Sequence, residues 1–296
     1  MATTTLKLRT NLAEYPVTAA MRDGRVTSPT VELDFCGPKI ANNAFKAMLR
    51  GGEYDAGELA IITYLQARAY GKPWTLLPIP ISGRFQQHCI AYDTAHGHLD
   101  PKDIEGRKVG VRTYSQTTGL WVRGVLQHEY GVDIDKVTWM TIEDAHVPEF
   151  QEPSNCERLP EGSKLPQLLF DGELAAVMMG GDMPKDPRMA TLIPDAKAAA
   201  REWYDREKVV PINHMFVVHD DVAKANPEEV REIFRMLVES RAAAADSLPD
   251  IFPPIGLEAN RKALELAIDW SYEQRLIPNR MTVDELFTDL TAGLGA

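Results

Sequence analysis

Side chains able to do chemistry stand out in four places. Ser82-Gly83-Arg84-Phe85-Gln86-Gln87-His88 sets a guanidinium, a ring, two amides and an imidazole within seven residues. Arg84 offers a planar fork to a carboxylate, Phe85 a ring face, and His88 a group that moves a proton near neutral pH. The same residues also suit a surface loop ahead of an edge strand. His214 interrupts the apolar run Val209–His219, where an imidazole is either a satisfied core group or a proton carrier. Glu58, in Tyr54-Asp55-Ala56-Gly57-Glu58-Leu59-Ala60, stands where a short strand gives way to a helix. There it is either a solvated first-turn acid favoured by the helix dipole or an acid available for chemistry. His96 and His98 flank Gly97, a spacing that can hold a metal, but without a Cys or acid at ligand spacing they are expected in solvent.

A further stretch, Gly106 to Val132, is the one the chain is organised around. Lys108 to Arg112 is a short strand, and apolar residues then recur at Trp121, Val122, Val125, Leu126 and Tyr130 with helical spacing. The junction Thr113-Tyr114-Ser115-Gln116-Thr117-Thr118 puts hydroxyls and an amide beside the first free N–H groups of that helix. It reads either as a plain N-cap or as an anion seat suited to a carboxylate.

The remaining elements position these groups. Leu6 to Leu12 and Val31 to Phe35 are strands, so Asn11 and Tyr15 fall near a strand's carboxyl end, the edge that faces ligands in open α/β sheets. Ala41 to Arg50 is a helix stopped by Gly51-Gly52, and Ile61 to Tyr70 is another. Leu76 to Ile81 is a proline-punctuated run, and Gln87 to Tyr92 and Val137 to Met140 are strands. Glu143 to Pro166 is a long polar loop, and a short helix and turn cover Pro166 to Leu174. Ala175 to Met179 is a buried strand, with Asp182 at its ligand-facing end. Helices follow from Pro227 to about Ser240, from Arg261 to Tyr272 and from Val283 to Leu290.

With 296 residues and 44% hydrophobic content the chain has room for one large or two medium cores. A net charge of -11, from 43 acids against 32 bases, argues against a general nucleic-acid or anionic-membrane surface. No stretch approaches the roughly 20 apolar residues of a membrane span, and the N-terminus lacks a signal-peptide core. Cys36, Cys89 and Cys156 show no CxxC spacing, so a reducing cytoplasm is expected and neither a disulfide framework nor a thiolate zinc site. Phosphate-loop, nucleophile-elbow and HExxH motifs are missing.

Strand and helix alternate twice before helices close the chain, which predicts two α/β lobes. Across nearly its full length the sequence resembles the 4,5-dihydroxyphthalate decarboxylase family. The likeness is carried by GGEYDAGELAIITYL, IPISGRFQQHCIAY, GRKVGVRTYSQTTGLWVRGVLQHEYGV followed by VTW, and VVPINHMFVVHDD. It implies a two-lobed type 2 periplasmic-binding-protein-like fold with a ligand cleft between the lobes. Lobe 1 would be residues 1–98 plus 213–296, and lobe 2 the inserted residues 99–212. It also implies non-oxidative loss of CO2 from a hydroxylated aromatic acid, by protonation of the ring carbon that bears the carboxylate; with no cofactor motif in the sequence, the reaction is expected to be cofactor-independent. His88 and His214 are then the proton-donor candidates, and Glu58 orients an imidazole or accepts a phenolic proton. Arg84 and the Ser115, Gln116, Thr117 and Thr118 helix start hold carboxylates, while Tyr15 and Phe85 sandwich the ring, with Asn11 and Asp182 nearby. Family members tend to carry an Arg-Phe-Arg-His-like run, where this chain has Gln86 and Gln87 before His88, which bears on the ring substituents accepted. A divalent ion on His88, His214 and Glu58 is the reservation to a cofactor-free reading. The partner is a small aromatic carboxylate, with no nucleic acid or membrane, and the apolar helical C-terminus suggests a homodimer. The rival readings are a solute-binding or ligand-sensing protein without catalysis, and an enzyme resembling the chorismate-dehydratase group.

Overall fold

A computed structural model describes residues 5–181 and 183–295. The chain divides into two compact units, one of Met1–Arg84, Ile212–Asp269 and Ile277–Ala296, the other of Phe85–Pro211 and Trp270–Leu276. The first passage supplies β1 (Leu6–Asn11), α1 (Pro16–Arg22), β2 (Val31–Asp34), α2 (Phe45–Gly51), β3 (Ala56–Ala60), α3 (Ile61–Ala69) and β4 (Trp74–Gly83). The other unit follows with β5 (Ile90–Asp93), β6 (Lys108–Val111), α4 (Thr117–Tyr130), β7 (Thr138–Thr141), β8 (Cys156–Arg158), α5 (Leu165–Phe170), β9 (Ala176–Met178), β10 (Met189–Thr191) and α6 (Ala196–Glu207). The chain then returns through β11 (Ile212–His219), α7 (Asp220–Ala225), α8 (Pro227–Ala242) and α9 (Leu257–Glu273).

In the first unit the strand order is β2-β1-β3-β11-β4. β1 runs parallel to β2 and β3, and β11 enters antiparallel between β3 and β4. β4 is an edge, so Pro78 and Pro80 remove no bond from a central ladder, which explains how a proline-punctuated run forms a ten-residue strand. One face is sealed by α1 and α8: Val17, Ala20 and Met21 join Val230, Ile233, Phe234 and Leu237 over Leu8, Leu33, Ile79 and Phe216. β1 and β3 approach closely because position 57 is glycine; a Cβ there would lie 2.3 Å from the Asn11 carbonyl oxygen.

The second unit has strand order β10-β5-β9-β6-β7-β8. β6 runs parallel to β7 and β9, whereas β5 is antiparallel to β9 and β10. Met140, Leu165, Leu169, Leu174 and Val177 form a core on one face. Against α4, Trp121 meets Trp270 edge-on at 5.5 Å.

Several expectations are corrected. Residues 85–98 go with the inserted unit, because β5 pairs with β9 and β10 of its sheet, and Trp270–Leu276 join them by packing on α4. The extended run before Ile90 is a 3-10 turn, Gln87–Cys89, and Ala41–Ala44 is 3-10 ahead of α2. The Glu143 to Pro166 loop contains β8, paired to β7. Val283 to Leu290 is not an α-helix; only Asp284–Leu286 makes a 3-10 turn. Among the described residues no helix is long and apolar enough to cross a membrane.

Candidate functional site

The register of β3 against β11 assembles the site in the first unit. His214 stands opposite Ala60, and Glu58 lies two residues from Ala60 on the same strand, so Glu58 and His214 share a face as diagonal neighbours. The β11 register against β4 is irregular on both sides of His214, the kind of bulge that re-aims a side chain. His214 Nδ1 lies 2.5 Å from Glu58 Oε2, and the imidazole side chain is 19% exposed whereas the Glu58 side chain is wholly buried.

Three donors converge on that carboxylate. The Ala13 N–H donates to Oε1 at 2.8 Å, the Tyr15 hydroxyl donates to Oε2 at 3.2 Å, and His214 takes the third place. Ala13 and Tyr15 are held by one hydroxyl: Thr18 donates to the Ala13 carbonyl at 2.9 Å and accepts from the Tyr15 N–H at 2.9 Å. Phe45 packs edge-on against the imidazole, centroids 5.5 Å apart. An ionised Glu58 only accepts, so Nδ1 carries the proton in this pair and Nε2 is the nitrogen left for other chemistry. Burial, joined by the charge and hydrogen bond of Glu58, holds the Tyr15 phenol well above the usual tyrosine range, so it stays a donor.

The first-turn reading of Glu58 is thereby overturned. The residue is inside β3, and its place is a buried acceptor rather than a solvated acid. Asn11 is also buried at the end of β1, where its Nδ2 donates to the Ala41 carbonyl at 3.1 Å and contacts Met48 Sδ, while Oδ1 has no hydrogen-bond partner. Arg84 is exposed at the end of the first passage through this unit.

The other predicted residues belong to the second unit. Phe85 is half-buried and meets Tyr204 edge-on at 5.8 Å. His88 is exposed, with Nε2 3.5 Å from Cys89 Sγ, and Gln86 and Gln87 are buried. Ser115, Thr117 and Thr118 are buried at the start of α4, with Ser115 Oγ 3.4 Å from Thr113 Oγ1. Gln116 occupies the N-cap, yet its side chain makes no capping bond. Gln116 Oε1 and Thr117 Oγ1 are buried without hydrogen-bond partners. Asp182 lies outside the described residues. His96 and His98 are exposed as expected, bonded to the Phe170 carbonyl and to Tyr92 and Asp100. His88 and the Glu58–His214 pair fall in different units, and among the described residues no three His, Cys, Asp or Glu side chains group as a metal site.

Three parts of the site were not read from sequence: the Ala13 N–H, Thr18 and Phe45. A Thr three residues after Tyr15 at a helix start was the available signal for the second, since such a hydroxyl reaches back to the N-cap amide.

No family model matches the chain. It is 28% identical over 264 residues to a 4,5-dihydroxyphthalate decarboxylase of Comamonas testosteroni, covering 83% of this chain and 78% of that one. A 4,5-dihydroxyphthalate decarboxylase of Pseudomonas putida is 27% identical over 212 residues, 67% of this chain and 81% of that one. Among solved structures, the alkanesulfonate-binding protein SsuA of Xanthomonas axonopodis pv. citri bound to MOPS aligns over 95% of this chain and 98% of its own, with TM-score 0.57 and 14% identity. The aliphatic sulphonate binding protein SsuA of Escherichia coli gives 0.59 and 12% over 96% and 92%. The desulfurization enzyme DSZB gives 0.53 and 12% over 97% of both chains. The fold is that of the type 2 periplasmic binding proteins, and the same fold serves binding proteins and an enzyme alike.

Proposed function

We propose that this chain, a sequence relative of the 4,5-dihydroxyphthalate decarboxylases, is a carboxy-lyase that removes CO2 non-oxidatively from a hydroxylated aromatic acid of that kind. The Glu58–His214 pair carries the reading. A sheet interior that spends a wholly buried carboxylate on fixing one imidazole supports proton transfer better than it supports passive binding.

In the proposed reaction the protonated imidazole of His214 gives its Nε2 proton to the ring carbon bearing the carboxylate. A ring π pair forms the new C–H bond, and a ring hydroxyl stabilises the resulting cation by electron donation. The bond to the carboxylate then breaks, its electron pair restores the aromatic ring, and CO2 leaves. The imidazole recovers a proton from solvent, so that each turnover consumes one proton per CO2 released. Glu58 holds the Nδ1 proton and balances the ring's positive charge before transfer, and Tyr15 and the Ala13 N–H hold Glu58. His88, exposed beside Cys89, is the second donor candidate.

The start of α4 is proposed to take a substrate carboxylate. Its N-cap amide oxygen and first-turn hydroxyl oxygen are buried and uncommitted, and a helix end has free N–H groups. Arg84 and Phe85 keep their proposed parts in holding a carboxylate and a ring. No cofactor is proposed, since the Glu58 oxygens already serve three donors and are poorly placed to bind a divalent ion as well. Three free thiols fit a reducing cytoplasm.

The test is incubation with 4,5-dihydroxyphthalate and related hydroxylated aromatic acids in the presence and absence of a chelator, following CO2 and the aromatic product. Turnover that withstands chelation and disappears in His214→Ala supports the reading. Saturable binding of these acids with no product would replace it with the binding-protein reading, and turnover undiminished in His214→Ala would remove His214 as the donor.

A further inference from the structure

The second unit contains a charge that its own residues do not balance. Arg123 is 0% exposed, and among the described residues no carboxylate pairs with it; the titratable groups that act on its charge are Tyr114 and Cys156, with Glu152 acting in turn on Cys156. Burial pushes the Cys156 thiol up to about 12, so that neighbour brings no negative charge. Arg123 Nε donates to Gln274 Oε1 at 2.9 Å and Nη2 donates to the Tyr114 carbonyl at 2.7 Å, while Nη1 has no hydrogen-bond partner. The Tyr114 ring, 3.9 Å from the guanidinium carbon, offers a π face, which softens an unpaired charge without neutralising it. Removing a guanidinium from water without a counter-ion is unfavourable, and an apolar side chain of similar volume would satisfy the packing alone.

The guanidinium reaches back along α4 toward the helix start. Position 119, one turn before Arg123, is glycine, and a Cβ there would lie 2.8 Å from Nη1. The absent side chain at 119 makes the space that Nη1 occupies. Immediately ahead, Thr117 Oγ1, on a residue 5% exposed, and Gln116 Oε1 also lack partners, and Gln274 Nε2 bonds the Leu120 carbonyl at 3.0 Å, fixing the same turn.

We propose that Arg123 is a positioning residue for the anion seat at the start of α4: its buried, unbalanced charge and its hold on the Tyr114 carbonyl prepare that turn for an aromatic carboxylate, whose own charge completes the pair. Gly119 is part of the device because it leaves room for Nη1. The inference rests on the proposed use of the α4 start as the carboxylate seat.

The test compares Arg123→Met, Arg123→Lys, Gly119→Ala and Thr117→Val with the parent protein, measuring KM and kcat for 4,5-dihydroxyphthalate together with Tm. Arg123→Met is expected to raise KM by about tenfold or more, a rise exceeding any fall in kcat, while Tm holds or climbs because a buried unpaired charge is gone. Arg123→Lys is expected to recover part of the loss, and Gly119→Ala, by displacing Nη1, to raise KM in the same direction. A folded Arg123→Met protein with unchanged KM overturns the inference, as does a parallel fall of Tm and kcat with KM intact, the mark of a purely structural residue. If Arg123→Met does not fold, Gly119→Ala decides: unchanged KM overturns the inference and raised KM supports it. The two readings separate cleanly. A raised KM in Thr117→Val with none in the Arg123 and Gly119 variants keeps the seat and removes Arg123, whereas turnover with no KM change in any variant removes the seat as well.

Discussion

His214 Nδ1 and Glu58 Oε2 meet at 2.5 Å across two strands that 156 residues separate in the chain. The carboxylate has no contact with solvent, so its charge acts on the imidazole without screening by water. The pair should therefore behave as one catalytic unit. Glu58→Gln and His214→Gln are each expected to lower kcat by about 10²-fold or more, and the double variant little further than either single one. Glu58→Ala is also expected to destabilise, by about 1–3 kcal/mol for each buried donor it strands. Steady-state rates and urea unfolding of the parent and these four variants check both expectations; additive losses in the double variant would dismantle the unit.

Tyr15 is a lesser support. Its hydroxyl reaches Glu58 at 3.2 Å from a half-buried ring, whereas His214 and the Ala13 N–H hold the same carboxylate from shorter range. Tyr15→Phe should cost about 1 kcal/mol of stability. Because the Nδ1 contact persists, activity should fall by less than the roughly 10²-fold loss of a missing proton donor. With its phenol held up by burial and by Glu58, Tyr15 should contribute no ionisation to a pH–rate profile below pH 10, and the profile of Tyr15→Phe should keep the parent's shape.

How far the sequence speaks for itself differs from element to element. Alternating and helical spacing located β1, β3, α4 and α8; residue type left Glu58 and His214 open between structural and chemical parts, and only the family resemblance gave them roles. Their meeting depends on the register of β11 against β3 and on the irregular pairing with β4, neither of which has a local signature. The stretch from Val283 to Leu290 misleads for a different reason. Its apolar residues recur as on a helix, but threonine hydroxyls intercept the backbone: the Glu285 N–H reaches Thr282 Oγ1 and the Thr288 N–H reaches Thr291 Oγ1. The Leu286 carbonyl is taken by the Tyr64 hydroxyl at 2.7 Å, so tertiary bonds replace the helical ladder. Likewise, the hydroxyl-rich start of α4 looks like a cap in sequence, and only the geometry shows that Gln116 and Thr117 leave their oxygens uncommitted.

The three cysteines should separate in reactivity. Cys36 is exposed, Cys89 is fully buried, and burial pushes Cys156 up to about 12, which leaves about one molecule in 10⁴ as thiolate at pH 8. Iodoacetamide at pH 8 is expected to modify Cys36 first, with Cys89 and Cys156 reacting on the timescale of unfolding, as read by peptide mass. Activity should survive alkylation, because no thiol has a part in the proposed reaction. Loss of activity in step with Cys36 modification would contradict that assignment.

Glu152 links pH to the stability of the second unit. Burial raises its carboxyl above the usual glutamate range, against the opposing pull of Arg158, and its Oε1 has no hydrogen-bond partner. The folded state therefore holds this proton to higher pH than the unfolded chain does. Below the unfolded value both states are protonated and burial carries no charge penalty; between the unfolded and folded values the unfolded chain ionises alone, and stability falls as pH rises. Above the folded value the full penalty is present. Glu152→Gln, neutral at every pH, should be more stable than the parent at pH 7, with the advantage shrinking as pH falls toward 4. The Arg158 contact it gives up is long, 3.8 Å, and partly exposed, so its loss should offset the gain only slightly. Urea midpoints of the two proteins at pH 4, 5, 6 and 7 read this out: a difference that narrows with falling pH supports the buried-acid account, and a constant offset or a destabilised variant at pH 7 would assign Glu152 a net favourable ion pair instead.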